Sequence, residues 1–431
     1  MTFGKFNVEY EQRIYNPERM RNYRIDRAQA MLKKHGLGSM LIMEFDNQKY
    51  FGYNTRRGWV RHRTGGEFLL LIRGEGFPYC PDFGRTTYEK LMPWYKGKSI
   101  LQRGSAFQAG ASLDKKFNDE QWDTQVKQVK ELLKKHGVAG DPCGVDVAVM
   151  NMAEAFQRGG VNLVSGVEAL AEARMIKNED EIECCRVAVS ITDGAFYEVS
   201  KALKPGMTEL QVAGVAAKAL YDGGAEDMEG PSFVIHSGPR SGENMPRSAS
   251  DRIIRPGEMV VIDLNGVGFE GYRTCFYRTF CVGAKPTEFQ KEIYKDAYDC
   301  QRSMEKAIKP GLTNSQSAQL VMKDGEGRWY NGATWPEPGK YWSTSYGGHE
   351  VGLTSGDCGP GWGRIGVPDV VMEPGRVLAI EVGCSEWDGK NWSYDGAKLE
   401  NTGVCTDKGF EIFNRFPYDE LITCGLPGSI G

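Results

Sequence analysis

The apolar and polar positions of the first 170 residues alternate between two periods. A helical stretch is predicted from Pro17 to His35, closed by Gly36, and the apolar run Ser39-Met-Leu-Ile-Met43 follows as a buried strand. Phe68-Leu-Leu-Leu-Ile72 reads the same way. A charged helix is predicted over 119–136, stopped by Gly137, with short strands at Gly144-Val-Asp-Val147 and Val161-Asn-Leu-Val164. Strands alternating with helices imply a mostly parallel or mixed sheet with helices packed on it.

The texture changes near Ala171. Arg174-Met-Ile-Lys177 leads into a long amphipathic helix beginning about Asn178, with Glu179, Asp180 and Glu181 in its first turn, where they complement the macrodipole. A domain boundary is placed there, giving domains 1–171 and 172–431.

The second part contains an internal repeat. Lys201-Ala-Leu-Lys-Pro-Gly-Met-Thr-Glu-Leu-Gln211 returns as Lys306-Ala-Ile-Lys-Pro-Gly-Leu-Thr-Asn-Ser-Gln316. In both copies a helix ends, Pro-Gly turns the chain, and Thr208 or Thr313 starts a new helix with Gln three residues on, a capping-box pattern. Pro256-Gly-Glu-Met-Val-Val-Ile-Asp-Leu264 likewise resembles Pro374-Gly-Arg-Val-Leu-Ala-Ile-Glu-Val382. Two pseudo-symmetric halves are expected, with Asp263 and Glu381 at equivalent places on paired strands.

Composition narrows the class. At about 150 residues per domain, 431 residues suggest two or three domains with ample core. The balance of 53 basic against 57 acidic residues gives no electrostatic case for nucleic acid. No run of 18 apolar residues occurs and the N-terminus is polar, so no membrane span or secretory signal is expected and the chain reads as cytoplasmic. Eleven scattered cysteines without a CxxC pair read as reduced thiols. Only five histidines are available for imidazole chemistry.

A carboxylate inside an apolar strand is costly unless a metal, a cation or hydrogen bonds neutralise it. Asp263 and Glu381 both stand in such runs, either as functional groups or as strand-end residues bonded to backbone amides. Glu400, in Gly396-Ala-Lys-Leu-Glu-Asn-Thr402, is a third. His349 lies in Gly347-Gly-His-Glu-Val-Gly352, where the glycines would let the backbone crowd a ligand. Three acids and one His suit a divalent ion such as Mn, Fe, Co or Zn. Arg56-Arg-Gly-Trp-Val-Arg-His-Arg63 reads either as a solvated basic loop or as a substrate clamp, with Arg61 holding a carboxylate and Trp59 packing on an alkyl or cationic group. The Gly-rich Asp357-Cys-Gly-Pro-Gly-Trp-Gly363 reads as a loop bordering the pocket.

The ordered set Asp263, Gly271-Tyr-Arg-Thr-Cys-Phe-Tyr-Arg-Thr-Phe280, Gly348-His349, Ile380-Glu381 and Leu399-Glu400 resembles the pita-bread superfamily of methionine aminopeptidase, prolidase, aminopeptidase P and creatinase, over about residues 172–420. The segment before it resembles the creatinase/prolidase N-terminal domain. The resemblance implies an α/β (α+β) protein with a pita-bread catalytic domain, and makes Asp263, His349, Glu381 and Glu400 four of the five ligands that hold two metals in the peptidases. Cys275 stands where the family has its bridging Asp. That implies a divalent ion (Zn, Fe or Mn) bound singly rather than in pairs with Cys275 among its ligands, or else a metal-free site. Met245-Pro-Arg247 replaces the family's Pro-His pair, leaving His236 as the nearby imidazole. Arg19-Met-Arg-Asn-Tyr-Arg-Ile-Asp-Arg27 and Ser237-Gly-Pro-Arg240 resemble the dimethylsulfoniopropionate lyase branch. That branch's two extra acids fall on Asn265 and Ser355, with Asp357 two residues further on.

The resulting expectation is a homodimeric non-peptidase enzyme that cleaves a C–N or C–S bond of a small polar or zwitterionic metabolite. His349, Glu381, Glu400 and Tyr277 would be catalytic; His236, Arg247, Arg278, Trp59 and Arg61 would bind substrate. Two alternatives stand beside it: an Xaa-Pro dipeptidase of the aminopeptidase P type, and a non-catalytic pita-bread binding module.

Overall fold

A computed structural model describes residues 15–52, 67–82, 90, 92–101, 114–226, 228, 233–243, 248–324, 329–330, 343–357, 359, 361–363 and 368–426. The chain divides into two compact units, Met1–Arg174 and Met175–Gly431.

The first unit runs α1 (Pro17–Lys34), β1 (Ser39–Ile42), α2 (Phe45–Tyr50), β2 (Leu69–Ile72), β3 (Cys80–Asp82), β4 (Ser99–Leu101), α3 (Lys115–Lys135), β5 (Cys143–Val145), α4 (Met150–Arg158), β6 (Leu163–Ser165) and α5 (Val167–Met175), the last reaching the boundary. The Asn16 side chain caps α1 by accepting from the Glu18 and Arg19 amides. Helix α3 starts four residues before the expected Asp119 because Asp114 caps it through the Phe117 amide at 3.1 Å. The sheet order is β2-β1-β5-β6. Strand β2 is antiparallel to β1, while β5 and β6 run parallel, so the sheet is mixed. Leu41, Leu70 and Ile72 pack with Trp122, Val126 and Val129 of α3 and Phe156 of α4.

The second unit continues with α6 (Glu179–Ala202), α7 (Glu209–Asp222), β7 (Val234–Ser237), α8 (Pro239–Gly242), β8 (Met259–Asp263), β9 (Tyr277–Val282), α9 (Glu288–Ala307), α10 (Asn314–Asp324), β10 (Trp329–Tyr330), β11 (Ser343–Glu350), β12 (Val377–Ser385), β13 (Ala397–Thr406), β14 (Gly409–Ile412) and β15 (Ile422–Cys424). The repeat is visible in its hydrogen bonds. Thr208 and Gln211 close a capping box on α7, and Thr313 and Gln316 close the same box on α10. The turn before each needs a left-handed residue, which Gly206 (φ 88) and Gly311 (φ 85) supply.

The expected pairing of the repeated strands does not occur. Strand β8 lies in a four-stranded sheet, β15-β9-β8-β7, and β12 in a five-stranded one, β10-β11-β12-β13-β14. Asp263 is opposite Tyr277 and Glu381 is opposite Glu400, each within its own sheet. Helix α9 covers one face of the larger sheet, where Ile293, Ala297 and Met304 pack on Ile380, Val382 and Leu399. Period-two alternation then turns Glu381 and Glu400 to the other face. There the two sheets meet: Thr279 Oγ1 donates to the Lys398 carbonyl at 2.8 Å and accepts from its amide at 2.9 Å, and Thr402 Oγ1 donates to the Cys275 carbonyl at 2.7 Å.

Candidate active site

Each sheet contributes one row of side chains. In the smaller sheet, register places His236, Val261, Asp263, Tyr277 and Thr279 on one face. In the larger sheet, Gly347, His349, Glu381, Lys398, Glu400 and Thr402 share a face. Cys275 comes from the segment leading into β9. The Sγ of Cys275, an imidazole nitrogen of His349 and a carboxylate oxygen of Glu400 all lie within 4.8 Å of one another. Cys275 Sγ is 3.5 Å from Glu400 Oε2, and His349 Nε2 is 3.4 Å from Glu400 Oε1, longer than an ordinary hydrogen bond. The other imidazole nitrogen, Nδ1, is 3.0 Å from the Glu350 carbonyl, which fixes the ring and leaves Nε2 for the site.

Burial makes this cluster electrostatically unusual. Asp263 is 1% exposed and Glu400 is fully buried. Asp263 Oδ2 accepts from Asn265 at 3.0 Å, while its Oδ1 has no hydrogen-bond donor. Burial pushes the Asp263 carboxyl well above the usual range, the Glu400 charge adds to the rise, and Lys398 and the Tyr277 hydroxyl oppose it. Burial also raises Glu400, followed by the charge of Glu381, against His349 and Lys398. The Cys275 thiol is held well above its ordinary value by burial and then by the charges of Glu400, Asp263 and Glu381. Burial lowers His349, but its hydrogen bond and charge interaction with Glu400 outweigh that and bring it to about 9. Tyr277, buried among the same acids, keeps its proton.

Such a cluster binds protons because no cation satisfies it, and its donors fit one. A thiol sulfur, an imidazole nitrogen and a carboxylate oxygen at mutual ligand distance, with an orphaned buried oxygen on neighbouring Asp263, suit one Zn- or Fe-like ion. Asp263 and Glu381 lie outside that triplet. Since the ligands must lose protons to bind, affinity is expected to rise steadily from about pH 6 to about pH 9. Calorimetry in buffers of different ionisation enthalpy should register proton release, and a pH-independent affinity would contradict this site.

Lys398 is the residue that sequence reasoning missed. Its Nζ stands 3.7 Å from Glu381 Oε2 and 4.3 Å from the centre of the Tyr277 ring, and its side chain is only 14% exposed. Its place two residues before Glu400 in a strand was the available signal, because i and i+2 share a face.

Other expected residues are placed differently. Arg278 faces away from Asp263 and Tyr277, being one residue out of phase in β9. Its guanidinium donates to the carbonyls of Tyr277 (2.8 Å), Glu400 (2.7 Å) and Phe416 (3.2 Å) and to Asn401 Oδ1 (2.9 Å). It therefore braces the strand that carries Glu400 instead of meeting a substrate. His236 is buried on the same sheet face as Asp263, opposite Val261. Arg247, Trp59 and Arg61 lie outside the described residues. Gly348 accommodates the neighbouring strand and not a ligand, since a Cβ there would sit 2.7 Å from the Ala379 carbonyl. Asp357 is committed elsewhere: its Oδ2 is 3.5 Å from Lys177 Nζ in a pair whose side chains are 1% and 2% exposed. Part of the Gly-rich segment is a strand bridge, with Trp362 and Gly348 exchanging backbone hydrogen bonds at 2.8 and 3.0 Å beside His349.

Comparison with known proteins agrees with this geometry. The model of metallopeptidase family M24 matches residues 183–407, just over half of the chain. The uncharacterized peptidase YqhT of Bacillus subtilis is 26% identical over 403 residues, covering 93% of this chain and 99% of that one. The dimethylsulfoniopropionate lyase DddP of Roseovarius nubinhibens is 24% identical over 428 residues, 94% of this chain and 88% of that one. Among solved structures, the Xaa-Pro dipeptidase from Bacillus anthracis superposes with a TM-score of 0.72 at 21% identity, covering 93% of this chain and 99% of the other. That likeness carries the pita-bread α/β fold, and with the family match it makes the chain an enzyme of the hydrolase type. The protein belongs to metallopeptidase family M24.

Proposed function

We propose that the chain is a metal-dependent hydrolase of a short peptide-like substrate, of the Xaa-Pro dipeptidase type, working with one divalent ion. The observation that carries this reading is the Cys275–His349–Glu400 triplet, set among carboxylates that burial leaves unsatisfied. Its support outside the site is that full-length relatives and superposable structures carry peptidase and dipeptidase names, which favours peptide hydrolysis over the non-peptidase reading of the sequence.

In this proposal Cys275, His349 and Glu400 hold the ion. When bound, it supplies Lewis-acid polarisation of an amide carbonyl and a water of lowered pKa. Glu381, whose side chain is 28% exposed, is the acid that a substrate and its water can reach, and it accepts the water proton and returns it to the leaving nitrogen. Tyr277 keeps its hydroxyl proton and donates towards developing negative charge. Asp263 and the second acid row set the potential of the pocket. The first unit would serve as the creatinase/prolidase-like N-terminal domain. We take the protein to be a cytoplasmic homodimer; no helix among the described residues is long and apolar enough to cross a membrane.

A second reading follows from Cys275 itself. Without the bridging carboxylate, C–N or C–S cleavage in a small zwitterion remains open, and a lyase stands among the relatives. One assay decides between them. Protein stripped with chelator and reloaded separately with Zn, Mn or Fe is offered Gly-Pro and Ala-Pro dipeptides and dimethylsulfoniopropionate. Metal-restored dipeptide hydrolysis is expected; turnover of the sulfonium compound without any dipeptide hydrolysis would replace the first reading by the second.

A further inference from the structure

We infer that the Lys398 ammonium is the second cation of this site, a resident charge occupying the role that another metal ion would otherwise fill. The inference rests on the single-ion reading above and concerns a residue that reading does not use. Three acids, Asp263, Glu381 and Glu400, converge where the two sheets meet, and the ligand triplet accounts for only one of them. Glu381 and Glu400 are directly opposed across the β12–β13 ladder, an arrangement in which like charges repel. Lys398 is on the same face, 3.7 Å from Glu381 Oε2, and lowers the potential at both Asp263 and Glu400.

Its place is built. The backbone of Lys398 is clamped on both sides by Thr279, through the amide at 2.9 Å and the carbonyl at 2.8 Å. The ammonium lies over the Tyr277 ring at 4.3 Å, a cation–π contact on a ring that itself borders Asp263. A lysine this enclosed is retained only with a counter-charge, and here the counter-charges are the acids left over by the triplet. With Cys275 supplying no second carboxylate, a further hard ion would need Asp263 and Glu381 as oxygen ligands. Lys398 stands against the latter and repels such an ion. It is a positioning residue: it holds Glu381 in place and limits the site to one metal.

The test uses the full chain as wild type, Lys398→Met, Lys398→Arg, Glu381→Gln and the Lys398→Met/Glu381→Gln double variant. Metal content is measured after equilibration with Zn or Mn and gel filtration, and melting is measured on metal-free protein. Wild type and Lys398→Arg are expected to hold close to one ion per chain, and Lys398→Met to approach two in Mn. Metal-free Lys398→Met should melt below wild type, with Glu381→Gln restoring most of the loss in the double variant, because a lone acid no longer needs a partner. Unchanged ion content and melting in Lys398→Met would overturn the inference, as would two ions in wild type. Wild type without any ion would sink the metal reading of the proposed function alone, while the Lys398–Glu381 coupling in metal-free protein would still decide the role of Lys398. If Lys398→Met fails to fold and Lys398→Met/Glu381→Gln folds, the charge pairing is supported; if neither folds while Lys398→Arg loses metal, it is refuted.

Discussion

Glu400→Gln is expected to abolish divalent metal binding and hydrolysis while making the metal-free protein melt higher. Both effects come from one carboxylate. Glu400 is the ligand shared between Cys275 and His349, so its loss should weaken the ion by more than about 100-fold, given that second-shell partners alone are worth 10–100-fold. The same group is fully buried, faces Glu381 across the ladder and is raised by burial, so an uncharged isostere removes a desolvated charge from the apo protein. A gain on the order of 1 kcal/mol would appear as roughly 2–4 °C for a unit of this size. The pH dependence has a definite sign. His349 is raised to about 9 by Glu400, so the pairing stabilises wild type fully below the unfolded-state histidine value and is lost as pH rises through about 9. Glu400, also raised, is protonated at low pH and then resembles Gln. The melting advantage of the variant should therefore vanish in acid and be largest in alkali. Melting curves of metal-free protein across pH, with metal analysis at neutral pH, check both halves. A variant that binds metal normally would remove Glu400 from the site.

Much of this arrangement was legible in the sequence, for physical reasons that differ between residues. The capping boxes at Thr208 and Thr313 are local, since side chain and backbone three residues apart decide them, and the structure reproduces both. Acids inside apolar strands announce themselves because burial without compensation is unfavourable, and Asp263 and Glu400 are among the most buried acids of the second unit. What could not be read was which strands adjoin which. The repeat suggested that β8 and β12 pair, whereas each pairs with the strand next in its own sheet, because repetition fixes equivalence and not hydrogen-bond partners. Lys398 was hidden for the same reason: a lysine at a strand start looks like a surface residue until Thr279 and Tyr277 of another sheet are laid against it. Arg278 was misread by a single residue, which in a strand is the difference between facing a substrate and holding the backbone beneath it.

Cys275→Asp is expected to convert the metal preference of the site from thiophilic to oxophilic ions. As a thiol, Cys275 is held protonated by burial and by Glu400, Asp263 and Glu381. An ion must displace that proton, which soft or borderline ions such as Zn and Fe do through a strong sulfur bond and Mn does poorly. A carboxylate at the same place offers a hard donor, so the ratio of Mn to Zn affinity should rise by more than about tenfold, equivalent to about 1.4 kcal/mol. The substitution adds a fourth acid to the cluster, so the metal-free variant should melt below wild type, and saturating Mn should return most of the difference, as expected when a ligand binds only the folded state. Competition titrations of Mn against Zn and paired melting curves measure both, and an unchanged preference would show that Cys275 does not touch the ion. The ion count is a separate matter. With Lys398 still beside Glu381, a new bridging-type carboxylate has no second cation to bridge to, so Cys275→Asp alone should stay near one ion per chain and Cys275→Asp/Lys398→Met should approach two. Loading of two ions by the single variant would mean that the missing carboxylate, and not the lysine, is what keeps this site mononuclear.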